Sequence, residues 1–79
     1  MPDQSHDFGV VLFYTSSAAL RSEKMLIRNG LSAKLIPTPR EFSSDCGIAL
    51  RFGWRHSTQV RELLESAQVD IASIHRLGD

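Results

Sequence analysis

Apolar positions along the 79-residue chain fall into blocks whose spacing switches between two periods. Gly9-Val10-Val11-Leu12-Phe13-Tyr14 is a continuous β-rich run. It predicts a strand covered on both faces, hence central in a sheet. Ala33-Lys34-Leu35-Ile36 predicts a short second strand ended by Pro37. Ile48 to Trp54 alternates: Ile48, Leu50, Phe52 and Trp54 share one face, and Ala49, Arg51 and Gly53 the other. Ile71 to Leu77 predicts the last strand.

Two blocks carry the helical period instead. Residues 17–29 follow the N-cap candidates Thr15, Ser16 and Ser17, and stop at Asn29-Gly30. In this helix Ala18, Ala19, Leu26 and Ile27 spread over one half, expected to pack on the sheet. Arg21, Lys24 and Arg28 form a basic stripe on the other half, and Glu23 is expected at the rim of the apolar arc. After Ser57 or Thr58, the expected cap, Val60, Leu63, Leu64 and Ala67 recur at i, i+3, i+4 and i+7.

The order β-α-β-β-α-β predicts an α+β, ferredoxin-like fold: a four-stranded antiparallel sheet with both helices on one face. One such domain accounts for residues 8–79, preceded by a polar lead-in, residues 1–7, expected to be disordered. The link between the middle strands, from about Pro37 to Gly47, is far longer than the two to five or so residues a hairpin needs. A long linker in so small a domain points to function.

Charge narrows the classes of partner. Nine basic side chains balance nine acidic ones, which argues against nucleic-acid binding by bulk positive charge. Phe52 and Trp54 are expected under the helices, whereas RNA-binding sheets of this kind display aromatics on the open face. No apolar run approaches the length of a membrane span, and the polar start is unlike a signal peptide. A cytoplasmic location is the expectation, with a single free thiol. His6, His56 and His75 are scattered and make a poor metal set with one cysteine, so neither metal nor cofactor is expected.

The chemistry therefore concentrates in the linker, which holds the only cysteine. Cys46 lies between Asp45 and Gly47, neighbours that make deep burial unexpected and a solvent-reachable, fast-alkylating thiol the working expectation. Arg40 and Arg51 are candidate cations for a thiolate, though Asp45 acts in the opposite direction. Ser43 and Ser44 suggest a capped turn able to face sulfur or an anion, and Gly47 allows close backbone approach. The residues leave two readings open: a reactive thiol, or an inert buried one.

The stretch Leu35-Ile36-Pro37-Thr38-Pro39-Arg40-Glu41, with Ser43-Ser44-Asp45-Cys46-Gly47-Ile48-Ala49-Leu50-Arg51-Phe52, resembles the Putative Se/S carrier protein-like family. Phe13-Tyr14-Thr15, Ala18-Ala19-Leu20 and Glu23-Lys24 resemble its early strand–helix unit, and His75 stands where a Tyr is more usual. The resemblance implies a carrier that loads sulfur or selenium on Cys46, with Arg40 and the Ser43-Ser44 turn shaping the site. Its partners would be donor and acceptor proteins, and a homodimer is compatible with the small size. A persulfide on Cys46 could not be resolved within the chain, so turnover needs another thiol. The alternative is a small anion-binding or regulatory module using Arg40, Ser43 and Ser44, with Cys46 structural. A cysteine enzyme is the weakest fit, because no His is close in sequence to serve as base.

Overall fold

Phe8–Phe13 (β1) lies inside a single sheet of order β2-β3-β1-β4, with Ala33–Pro37 as β2, Ile48–Gly53 as β3 and Ile71–Leu77 as β4. The computed structural model describes residues 7–42 and 46–77. β1 pairs antiparallel with β3 on one side and β4 on the other, and β2 pairs antiparallel with β3. The helices are α1, Ser16–Arg28, and α2, Ser57–Ser66, the latter entered through a short 3-10 turn at Trp54–His56. This is the ferredoxin-like arrangement the element order predicts. The edge position of β2 explains why Pro37 can close it: an edge strand has one side whose N–H groups need no ladder partner.

The alternation in β1 and β3 divides the molecule into two apolar clusters. Val11, Phe13, Leu50 and Phe52 pack with Ala19 and Leu26 of α1 and Val60 and Leu64 of α2. Val10, Leu12 and Ala49 point to the opposite face and form a second cluster with Ile36, Phe42 and Leu77. Both clusters are closed: Val10, Val11, Leu50 and Ala49 are all 0% exposed. The continuous run in β1 is therefore buried on both sides, as expected for a central strand. Gly9 makes room on the helix face. A Cβ there would come within 2.5 Å of Phe52 Cζ and 2.6 Å of Trp54 Cε3, two rings that stack on each other.

Capping follows sequence closely at α1. Thr15 is the N-cap, and its hydroxyl accepts from the Ala18 N–H at 3.2 Å. Both helices end in the same motif. Leu31 N–H bonds the Leu26 carbonyl and Gly30 N–H that of Ile27; Val69 and Gln68 repeat this on Leu64 and Glu65. The motif needs a left-handed residue, supplied at φ 82° by Gly30 and at φ 59° by Gln68.

Three local expectations are corrected. Ile27 is 55% exposed, and Ser22 is buried in the helix face instead, its hydroxyl satisfied by the Ala18 carbonyl at 2.8 Å. Neither Ser57 nor Thr58 caps α2; the N-cap is His56, with no side-chain cap bond, because the 3-10 turn delivers the chain directly into the helix. Of the lead-in, residues 1–6 lie outside the described residues. Asp7 is tied down, its carboxylate 3.1 Å from Arg76 and its carbonyl accepting from Trp54 N–H.

Candidate functional site

The linker closes at its base before it can wander. Thr38 N–H donates to the Gly47 carbonyl at 3.0 Å, and the Thr38 hydroxyl donates to the Cys46 carbonyl at 2.9 Å. These bonds continue the β2–β3 ladder one step past Pro37 and Ile48. Beyond this neck the chain turns back at once, with Phe42 N–H bonded to the Pro39 carbonyl at 3.0 Å. The turn lays Phe42 on the face opposite the helices. There it packs on the Val10–Leu12–Ala49 cluster and stacks on His75 of β4, ring centroids 4.3 Å apart. His75 is held from its other side chain neighbour, Ser73 Oγ, at 2.9 Å.

The returning limb places Cys46 on the other side of the sheet. Cys46 Sγ is 3.8 Å from Ser16 Oγ, the first residue of α1, within hydrogen-bonding reach for sulfur. Cys46 is 4% exposed. The expectation of a solvent-reachable thiol is thus corrected. Polar neighbours in sequence did not keep it at the surface; the tertiary contacts of the thiol include Ser16 at the start of α1. Gly47, next in the chain, is exposed and has open space where a Cβ would stand, so the backbone beside the thiol faces solvent. It is not in the left-handed region, and its small size rather than positive φ is what it contributes.

Of the proposed supporting residues, Arg51 is held away from the thiol and Gly47 adjoins it. Arg40 is exposed at the Pro39–Phe42 turn and, among the described residues, makes no hydrogen bond or ion pair. Arg51 lies three residues into β3 from Ile48, roughly 10 Å further from the thiol at about 3.3 Å per residue. Its guanidinium stacks on the Phe8 ring at 4.5 Å, on the face opposite the helices. Strand alternation and length together keep it from Cys46. Glu23 is half-buried at the edge of α1, the rim position expected, and makes no ion pair among the described residues. Ser43, Ser44 and Asp45 lie outside the described residues.

No His is brought to the sulfur among the described residues. His56 is at the far end of β3, beside Arg55, and His75 is beneath Phe42 on the opposite face. No cluster of three metal-ligating side chains occurs among the described residues either. No helix is long and apolar enough to cross a membrane. Reading the sequence missed three participants: Thr38, Phe42 and Ser16. Thr38 was legible as the residue just past a strand end opposite Gly47. Phe42 and Ser16 act through contacts distant in sequence that no local pattern signals.

Residues 8–76 match the model of a family described as "Putative Se/S carrier protein-like". The chain belongs to this family. The match runs from the first residue of β1 to the penultimate residue of β4, so the Se/S carrier family shares the whole sheet, both helices and the linker. No curated protein and no solved structure matches the chain.

Proposed function

We propose that the protein carries sulfur or selenium on Cys46, in the cytoplasm, between a donor and an acceptor protein. The observation that carries this reading is that a member of the Se/S carrier family has one cysteine. A chalcogen held as a persulfide or selenosulfide needs a thiol, and Cys46 is the only one in the chain; the two methionines are thioethers and cannot serve.

Loading is an exchange at sulfur. Cys46 Sγ, as thiolate, attacks the terminal sulfur of a donor persulfide. The donor S–S bond breaks, its electron pair stays on the donor cysteine sulfur, and that sulfur takes up the proton. One S–S bond is made and one broken, so no external oxidant is required. Discharge repeats the step with an acceptor nucleophile attacking the outer atom. The Ser16 hydroxyl, 3.8 Å away, is a hydrogen-bond donor for the sulfur anion formed. Burial at 4% exposure supports a role in keeping the persulfide from stray thiols. Arg40, Ser43 and Ser44 then act on the incoming anionic sulfur from the linker itself, with Gly47 leaving the approach unobstructed.

Burial also favours a second reading, in which Cys46 is structural and the linker serves an anion-binding or regulatory module. Intact-mass measurement after incubation with a cysteine desulfurase and cysteine separates the two. The carrier gains the mass of one sulfur, loses it to reductant, and fails to gain it as Cys46→Ser. A wild type that gains no reducible mass from any sulfur or selenium donor contradicts the carrier reading, and a Cys46→Ser protein that unfolds establishes the structural one.

A further inference from the structure

We infer that the exposed flank of α1 which begins at the thiol is the docking surface for the protein that loads Cys46, a partner presenting carboxylates around an apolar contact. The inference rests on the carrier reading of Cys46. At 100° per residue, Ser16, Leu20 and Ile27 fall on one line along α1. Ser16 is the residue against the sulfur. Leu20 and Ile27 are 47% and 55% exposed, although the helix has a buried face available in Ala19, Ser22 and Leu26. They stand seven residues apart, about 10 Å at ~1.5 Å per residue, a spacing that suits two anchors in one contact.

Charge identifies the occupant. Lys24, Arg28 and Arg21 follow Leu20 and Ile27 around the same exposed surface. Among the described residues none of the three is ion-paired; the one bond recorded for them runs from Arg21 to the Ala67 carbonyl at 3.4 Å. Three cations against Glu23 give α1 a net charge of 3 − 1 = +2, in a chain whose total is zero. The positive charge is thus gathered on one helix, along one side of an apolar pair, on turns beyond the one that touches the thiol. A second copy of the chain would bring these cations against each other, whereas an acidic protein surface satisfies them and is steered to the correct end of the molecule.

The test compares two ways of loading the same thiol. Wild type, Leu20→Gln/Ile27→Gln and Lys24→Glu/Arg28→Glu are each given either a cysteine desulfurase with cysteine, or inorganic polysulfide, which has no protein surface to dock. Intact mass follows the rate. All four substitutions are at exposed positions, and unchanged thermal unfolding verifies each fold. The expected result is a loss of about tenfold in the rate from the desulfurase in each double variant, a wild-type rate that falls as salt rises, and polysulfide rates unchanged throughout. Equal rates from the desulfurase in all three proteins overturn the docking surface and leave the carrier intact. Polysulfide loading without any desulfurase loading in the wild type also counts against it. A loss confined to the charge variant overturns the apolar anchor. If neither donor loads the wild type, the carrier reading itself fails.

Discussion

Both faces of the sheet bury apolar side chains of the central strands, but to different extents and by different means. On one face, α1 and α2 cover Val11, Phe13, Leu50 and Phe52, with Leu31 and Val69 of the connecting segments completing the cluster. On the other face, Val10, Leu12 and Ala49 owe their burial in part to Phe42, a residue of the linker, resting on His75. The same linker carries Cys46 to the helix side, against Ser16. It therefore straddles the end of the sheet with one side chain fastened to each face. The comparison teaches that the linker is part of the fold and not an appendage. The helix face holds the larger set of buried side chains, while Phe42 adds a smaller apolar contact on the other face. A segment held by a few hydrogen bonds and one aromatic side chain opens at lower free energy than a core built from two helices.

The comparison can be broken first at the helix face. Leu50→Ala removes a fully buried side chain at the centre of the larger cluster. Its expected cost is about 3–5 kcal/mol, read as a lower urea midpoint. A cost below about 1 kcal/mol would mean that this face is not the stabilising one. Gly9→Ala comes next. The added methyl would meet the Phe52 ring at 2.5 Å, and Phe52, 2% exposed, has nowhere to move freely. Overpacking of this kind costs about 1–3 kcal/mol, again measured by urea unfolding. The smallest effect is expected from Arg40→Gln. The side chain is exposed and unpaired among the described residues, so stability should change by less than about 0.5 kcal/mol. If Arg40 meets incoming anionic sulfur, the substitution slows polysulfide loading without slowing alkylation by neutral iodoacetamide.

Much of this architecture was legible in the chain. The strict alternation of Ile48 to Gly53 separated the faces of β3, and the unbroken run in β1 required cover on both sides. The identity of the second cover was not legible, because a lone aromatic in a linker has no period; Phe42 gained its role only from the turn at Pro39 that returns it to the sheet. Cys46 illustrates the same limit. Its sequence neighbours are polar or small, yet it is buried and in contact with Ser16, thirty positions away. Arg51 was legible as a strand residue, and its alternation already excluded the helix face; only the length of β3 showed how far it stands from the thiol. Ile27 was misplaced because helical periodicity defines an arc, and the edge of that arc depends on how far the sheet extends beneath it.

We take the linker, fastened by Phe42 on one face, to control access to Cys46 on the other. The most direct test is the rate of Cys46 alkylation by iodoacetamide, measured in native protein by intact mass, for wild type and Phe42→Ala. Wild-type Cys46 should react more slowly than the same thiol in urea-unfolded chain, given its 4% exposure. Phe42→Ala should react about tenfold faster than wild type, corresponding to ~1.4 kcal/mol of lost closure, while thermal unfolding confirms that most molecules remain folded. Equal rates in the two proteins, with the wild type as fast as the unfolded chain, would contradict the account: the thiol would then be open in solution, and Phe42 would have no hold over it.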